Sequence, residues 1–117
     1  MQDFRNLQVW QKSHLLTLKI YKVTMLFPKE EMYGLTSQIR RASSSIPTNL
    51  AEGTGRGSDK DFARFVQISM GSACEIEYLH VLCKELGYIS HEKADEHLEE
   101  IQQIKKMLVS LLKTLKL

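Results

Sequence analysis

The sequence predicts an all-α protein, specifically an antiparallel up-and-down four-helix bundle. Only two prolines and six glycines occur among the 117 residues, and long stretches repeat their apolar residues with the 3.6-residue period of a helix. Three short connections between four long helices favour antiparallel neighbours. We expect residues 1–117 to form a single domain, because a chain of this length buries about two thirds of its unfolded surface in one core.

The predicted helices cover residues 7–26, 33–52, 59–86 and 91–116. The first helix stops before Pro28, because proline disfavours the α conformation in the residue that precedes it. Ser58 and Ser90 are the expected N-caps of helices three and four, and Gly87 suits the position just after helix three. Helices two and four each present one apolar face: Leu35, Ile39, Ala42, Ile46 and Leu50 in helix two, and Leu98, Ile101, Ile104, Leu108, Leu111, Leu112 and Leu115 in helix four.

Helix one is apolar on two opposite sides. At about 100° per residue, an arc of about 80° holds the stripe that we expect to face the core: Leu7, Trp10, His14, Leu18, Tyr21 and Met25. A second arc of about 60° holds the stripe that a lone bundle would leave in water: Val9, Leu16, Ile20, Val23 and Phe27. An exposed apolar patch of this size normally marks an interface, so the second stripe predicts a homo-oligomer. Ile20→Asp is then expected to disperse the oligomer without loss of helicity, unless loops or the N-terminal arm cover the stripe.

Residues 27–56 read FPKEEMYGLTSQIRRASSSIPTNLAEGTGR, and core packing alone does not require their paired arginines, run of small residues, interior proline and glycines. Together with LQVWQKSHLLTLKIYKVTMLFP before it and KDFARFVQISMGSACEIEYLHVLCKELGYI after it, the segment resembles a family of small bacterial four-helix bundles. Genes of that family were first noticed inside intervening sequences of 23S ribosomal RNA genes. The resemblance covers roughly residues 7–89.

The resemblance implies an assembly and a class of partner. Members of the family form pentameric rings, so it implies a homopentamer. The broader group includes the accessory proteins of diversity-generating retroelements, which are basic pentamers that bind nucleic acid and a reverse transcriptase. The family retains an arginine at the position of Arg56, which supports a ligand contact there.

Charge is unevenly distributed along the chain, although the net charge is only +2. Residues 1–60 carry nine Lys and Arg against five Asp and Glu, whereas residues 61–117 carry seven against nine. A folded bundle could bring the cations to one face and favour RNA or DNA as a partner. The candidate phosphate contacts are Arg5, Lys12, Lys19, Lys22, Arg40 and Arg56. The alternatives are an ordinary solvated surface, or a protein-interaction scaffold without nucleic acid that presents Glu92, Glu96, Glu99 and Glu100.

Arg40 and Arg41 are adjacent, so their side chains leave the helix about 100° apart and meet different surroundings. Arg41 lies on the same side of the helix as Glu52 and could pair across a subunit boundary. We expect a polar network of Arg41, Glu52 and Glu75 to fix how helices two and three dock. A ligand-binding role for the arginines is the alternative.

The same region holds three further patterns. Pro47 removes a backbone donor and frees the carbonyl of Ser43. The small residues 43–45 and 71–73 are expected to pack near each other where two helices approach closely. The turn at residues 53–58 suits a helix end, a flexible link and a cap, and the alternative is an anion site at the start of helix three.

Nothing in the sequence indicates catalysis, a cofactor or a metal. Glu77 and His80 supply one Glu-x-x-His step, whereas a di-metal bundle needs two such steps and acids from the other helices. Cys74 and Cys83 lie nine residues apart on one helix and cannot bridge, so both are expected to be small buried apolar residues. No apolar run of about twenty residues and no signal pattern occurs, which predicts a cytoplasmic protein without a membrane partner.

Overall fold

The computed structural model describes residues 3–115 of the chain. Its four α-helices are α1 Gln8–Thr24, α2 Leu35–Thr54, α3 Asp59–Glu85 and α4 His91–Leu115, with short 3-10 turns at Phe4–Asn6 and Lys29–Glu31. Each helix packs against the next and α1 also packs against α4, whereas the two diagonal pairs make no close backbone contact among the described residues. This arrangement confirms the predicted all-α four-helix bundle. The last residue of the predicted fourth helix, 116, lies outside the described residues.

Local signals set both ends of α3 and the start of α4, within one residue of where the sequence predicts them. Ser58 Oγ accepts a hydrogen bond from the N–H of Asp61 at 3.1 Å, which caps the start of α3. Just beyond the end of α3, Gly87 has a φ of 79°, which suits a residue without a side chain. Ser90 Oγ accepts a hydrogen bond from the N–H of Lys93 at 3.1 Å and caps α4.

The C-terminal end of α2 passes very close to α3. A Cβ atom added at Gly53 would lie 2.7 Å from Cδ1 of Phe62 and 2.9 Å from Cβ of Phe65, so only glycine fits between the helices there. The helix continues through this glycine to Thr54, two residues beyond the predicted end.

Pro47 lies inside α2, and its missing N–H leaves the carbonyl of Ser43 without a partner in its own helix. Thr17 of α1 partly supplies one. Its Oγ1 lies 3.1 Å from the Ser43 carbonyl oxygen and 2.9 Å from that of Ser13, so its single hydroxyl proton is shared between the two carbonyls. The sequence predicts the free carbonyl, and the structure shows that α1 contacts α2 through it.

The assignment of the two apolar stripes of α1 was wrong, because the stripe predicted to form the oligomer interface lies in the core of the bundle. Leu16 and Ile20 are 1% and 0% exposed. Val9 and Phe27 are also buried, and Val23 is half-buried against the same core. The four buried residues are therefore not available to another subunit, and Ile20→Asp would disrupt the bundle itself instead of separating folded subunits. Of the stripe predicted to face the core, Leu7 is buried and the half-buried Trp10 packs at its edge, whereas Leu18, Tyr21 and Met25 face outward.

Small polar residues on this face of α1 are buried without unsatisfied donors. Ser13, Thr17 and Thr24 are buried beside the leucine and isoleucine side chains. Thr17 Oγ1 lies 2.9 Å from the carbonyl oxygen of Ser13, and Thr24 Oγ1 lies 2.7 Å from that of Ile20. A hydroxyl that donates to its own helix can be buried without an unsatisfied donor.

The core of the other helices agrees better with the sequence. The five apolar residues predicted for α2 are all buried, and in α4 Ile101, Ile104 and Leu108 are buried while the other four predicted leucines are half-buried against the same core. The predicted approach of the small residues is confirmed, since Ser72 Oγ lies 2.8 Å from Ser45 Oγ. Cys83 is buried as expected, but Cys74 is exposed, so its predicted burial was wrong.

Candidate functional site

Helix α1 presents an exposed apolar surface, which we call the outer face of α1 and define as Leu15, Leu18, Tyr21 and Met25. These side chains are 56%, 53%, 43% and 76% exposed, respectively. Helix α1 carries no acidic residue, so the charged residues that this helix itself contributes are all lysines. Exposed apolar side chains concentrated in this way are a feature of interaction surfaces.

A groove of about 580 Å³ separates α2 from α3 and contains part of the predicted polar network. Arg41 and Glu75 line it with Tyr33, Ser37 and Ser45. Among the described residues, neither Arg41 nor Glu75 forms an ion pair, and Glu75 accepts only a long 3.4 Å hydrogen bond from Gln38.

Glu52 does not belong to this groove. At 1.5 Å per residue it lies about 16 Å along α2 from Arg41. The network of Arg41, Glu52 and Glu75 is therefore not formed within one chain. A pairing across a subunit boundary stays a prediction.

Arg40 joins α2 to the end of α1. Its Nε donates to Thr24 Oγ1 at 2.8 Å, and one of its terminal nitrogens donates to the carbonyl oxygen of Tyr21 at 3.3 Å. The guanidinium carbon also lies 4.8 Å from the centre of the Tyr21 ring. Arg40 thus has a structural role in docking α1 on α2.

The other candidate phosphate contacts do not form one basic face. Arg5 pairs with Asp3 at 3.4 Å, and Lys19 pairs with Glu100 at 2.7 Å. The guanidinium carbon of Arg56 lies 5.2 Å from the centre of the Phe65 ring, in the turn between α2 and α3. Within residues 3–115, only Lys12, Lys22 and Arg56 of the six candidates have no ion-pair or hydrogen-bond partner.

Two buried histidines join α3 to α4, a contact that the sequence reasoning missed. His80 and His97 are 0% and 1% exposed, and Nε2 of His80 lies 3.0 Å from Nδ1 of His97. Burial lowers the pKa of His80 from 6.5 to about 4 and also lowers the pKa of His97. The spacing of His97 from Ala94, Ile101 and Ile104 was the available signal, because it puts this histidine in the apolar row of α4.

Among residues 3–115, no three His, Cys, Asp or Glu side chains converge in a way that could hold a metal ion. In the same residues, no helix has the length and apolar character needed to cross a membrane. The fold and its surfaces define a small four-helix bundle with an exposed apolar face on one helix. The family model described as 23S rRNA-intervening sequence protein matches residues 5–110, and the chain belongs to that family.

A solved structure has the same fold. It is that of a protein of unknown function from the S23 ribosomal protein family of Bacteroides thetaiotaomicron VPI-5482, with a TM-score of 0.82 and 27% identity. The match covers 90% of this chain and 95% of that one. No curated protein matches the chain. Neither the family nor the solved protein is described as having an enzymatic activity.

Proposed function

We propose that this protein is a non-catalytic scaffold that associates with further copies of itself through the outer face of α1. The observation that carries the proposal is the exposure of Leu15, Leu18, Tyr21 and Met25 along one helix whose opposite face already fills the core. Water contact with these side chains is unfavourable, and burial of the exposed half of each leucine would contribute roughly 1 kcal/mol to association. The family resemblance makes a pentamer the expected stoichiometry.

Leu18→Asp tests this assembly. Leu18 lies in the middle of the outer face and outside the core, so the variant should fold and elute as a smaller species than the wild type. Light scattering gives the mass of each species, and circular dichroism checks that the helices remain. Gln103→Asp is the matched control, because it adds the same charge at an exposed site on α4. Two outcomes would contradict the proposal. One is a wild-type protein that is monomeric at concentrations of about 1 μM, and the other is an assembly that Leu18→Asp leaves unchanged.

RNA or DNA binding by the assembled protein is the second candidate function. It is favoured by α1, which carries Lys12, Lys19 and Lys22 and no acidic residue between Gln8 and Thr24. Repetition of this helix around an assembly would multiply the free cations of one chain. Such lysines would contact phosphates, which gives affinity and salt dependence but no sequence readout.

A further inference from the structure

A second groove, of about 330 Å³, lies between α1 and the N-terminal half of α4. The half-buried Val23 and the exposed Leu26 give it an apolar wall. The buried His97 forms part of the opposite wall. The volume falls at the lower end of the range of small-molecule sites.

The groove carries one net positive charge. Lys19, Lys22 and Lys93 line it, and they are opposed by Glu96 in the lining and by Glu100, the partner of Lys19. The Lys93–Glu96 pair is long, at 3.8 Å, and both side chains are half exposed, so it is weak. Lys22 has no ion-pair partner among the described residues. The ammonium of Lys22 is therefore free for a ligand, and that of Lys93 can leave its weak pair with Glu96 to bind one.

The histidine pair fixes which nitrogen of His97 is left for the groove. Nδ1 of His80 lies 2.7 Å from the carbonyl oxygen of Ile76, which is an acceptor only, so this nitrogen must carry the proton of neutral His80. Nε2 of His80 then accepts, and Nδ1 of His97 must donate to it across 3.0 Å. The remaining nitrogen of His97, Nε2, is therefore unprotonated in the neutral pair and has no protein partner among the described residues.

Charged groups of both signs surround His97, and their combined effect with burial is to lower its pKa. Burial lowers its pKa most, Glu100 and Glu96 on its own helix raise it, and Lys19 of α1 and Lys93 of α4 lower it. His80 of α3 occupies its other nitrogen. A bound anion beside Nε2 would add one more negative charge and favour the protonated ring.

We propose that the groove between α1 and α4 binds a small monocarboxylate with a compact apolar tail. The carboxylate accepts hydrogen bonds from Lys22 and Lys93, the tail lies against Val23 and Leu26, and Nε2 of His97 takes up one proton from the solvent and donates it in a hydrogen bond to the carboxylate. A dianion fits less well, because Glu96 faces the same space and the groove offers one net charge. This inference does not depend on the proposed self-association.

Benzoate is the probe, and calorimetric titration at pH 7 in two buffers of different ionisation enthalpy measures both affinity and proton uptake. The expected result is saturable binding of one benzoate per chain with up to one proton taken up. Lys22→Gln should weaken this binding about tenfold, the value of one charge-assisted hydrogen bond. Lys106→Gln is the matched control and should leave binding unchanged. Lys106 is an exposed lysine of α4 that lies outside this groove and forms no ion pair with any residue from 3 to 115.

The His97 ring supplies a readout that does not require a variant of a buried residue. Its side-chain NMR signals in the wild type should shift towards the protonated form when benzoate is added, and those of the exposed His91 should not. If no binding is detected at benzoate concentrations up to about 10 mM, the proposal is overturned. Binding without proton uptake, equal binding of inorganic phosphate, or equal loss in Lys22→Gln and Lys106→Gln would each overturn it as well.

Discussion

Two buried histidines show at the scale of single residues how polar groups are accommodated in this core. The hydrogen bond between His80 and His97 joins α3 to α4, and the other ring nitrogen of His80 is hydrogen-bonded to the carbonyl of Ile76. Each ring is neutral in the folded protein because burial lowers its pKa. The unfolded chain binds these protons at the ordinary histidine pKa, so the two states differ in protonation as the pH falls.

Acid should therefore weaken the bundle between pH 6.5 and about 4, the unfolded and folded pKa values of His80. In this window the unfolded state holds more protons, so the free energy of unfolding rises with pH, and His80 alone contributes about 3 kcal/mol of the change. Urea unfolding of the wild type and of His80→Leu/His97→Leu at pH 7 and pH 5 measures the upper part of this change, roughly 2 kcal/mol for His80. The double variant should lose most of the dependence, whereas His91→Gln, at an exposed site, should keep it. Carboxylates contribute equally in all three proteins, so equal slopes would rule out the histidines as the cause.

Adjacent arginines differ in what they contact. Arg40 donates to α1 at two positions, whereas the exposed Arg41 lines a groove without an ion pair. Arg40→Ala should lower the free energy of unfolding by about 1 kcal/mol, because two acceptors on α1 lose the half-buried guanidinium that donates to them. Arg41→Ala should change it by less than about 0.5 kcal/mol, as expected for a surface site. Thermal unfolding of both variants checks this, and equal effects would contradict the structural role of Arg40.

At the scale of elements, the close approach of α2 and α3 depends on small residues. Ser72 Oγ donates a hydrogen bond to Ser45 Oγ near the middle of the contact. Ser69 Oγ donates to the carbonyl oxygen of Ile46 at 2.9 Å, and Gly53 fits against Phe62 at one end. Larger side chains at these positions would separate the helices and leave polar atoms without partners.

Two helical glycines test this packing. Gly53→Ala should destabilise the protein by roughly 1–3 kcal/mol, because its Cβ would overlap Phe62 and Phe65. Gly71→Ala should instead stabilise it by about 0.5–1 kcal/mol, since alanine favours the helix and no atom lies within 4 Å of the added carbon. Chemical unfolding of both variants measures the difference. A stabilising Gly53→Ala would show that the two helices can separate at no cost.

At the scale of the whole molecule, the bundle measures 43 × 24 × 20 Å and its charges are divided between helices. Helix α1 has lysines and no acid. Helix α4 begins with a predominantly acidic half, in which Glu92, Asp95 and Glu99 are exposed. One bundle therefore presents neither a fully basic nor a fully acidic surface, and an assembly would be needed to gather cations of the same helix.

This division leads to a prediction for nucleic acid. Structured RNA should be retarded by the wild-type protein in a gel shift at low salt, and the affinity should fall as salt is raised because bound counterions are released. Lys12→Gln/Lys22→Gln should bind more weakly and show a shallower salt slope, by about one unit for each phosphate that is no longer neutralised. Lys106→Gln/Lys113→Gln is the control with the same charge change on α4. No retardation at low salt would remove RNA binding and leave the scaffold without nucleic acid.

Much of the fold is predictable because its signals are local. The caps at Ser58 and Ser90 and the turn at Gly87 each depend on residues within one helical turn. The cores of α2 and α4 follow from a single apolar face in each sequence segment. The site is less predictable, because Arg40, His80 and His97 acquire their roles from partners on other helices.

By itself, the sequence determined the helices, their caps, the apolar faces of α2 and α4, and the family. Only the tertiary structure decided which side of α1 is buried, because both sides carry large apolar residues and helical periodicity ranks them equally. Thr17 and Thr24 settle the orientation through Ser43 and Arg40, which belong to α2. A helix with two apolar faces is oriented by the neighbours that it meets, and those contacts join residues far apart in the chain.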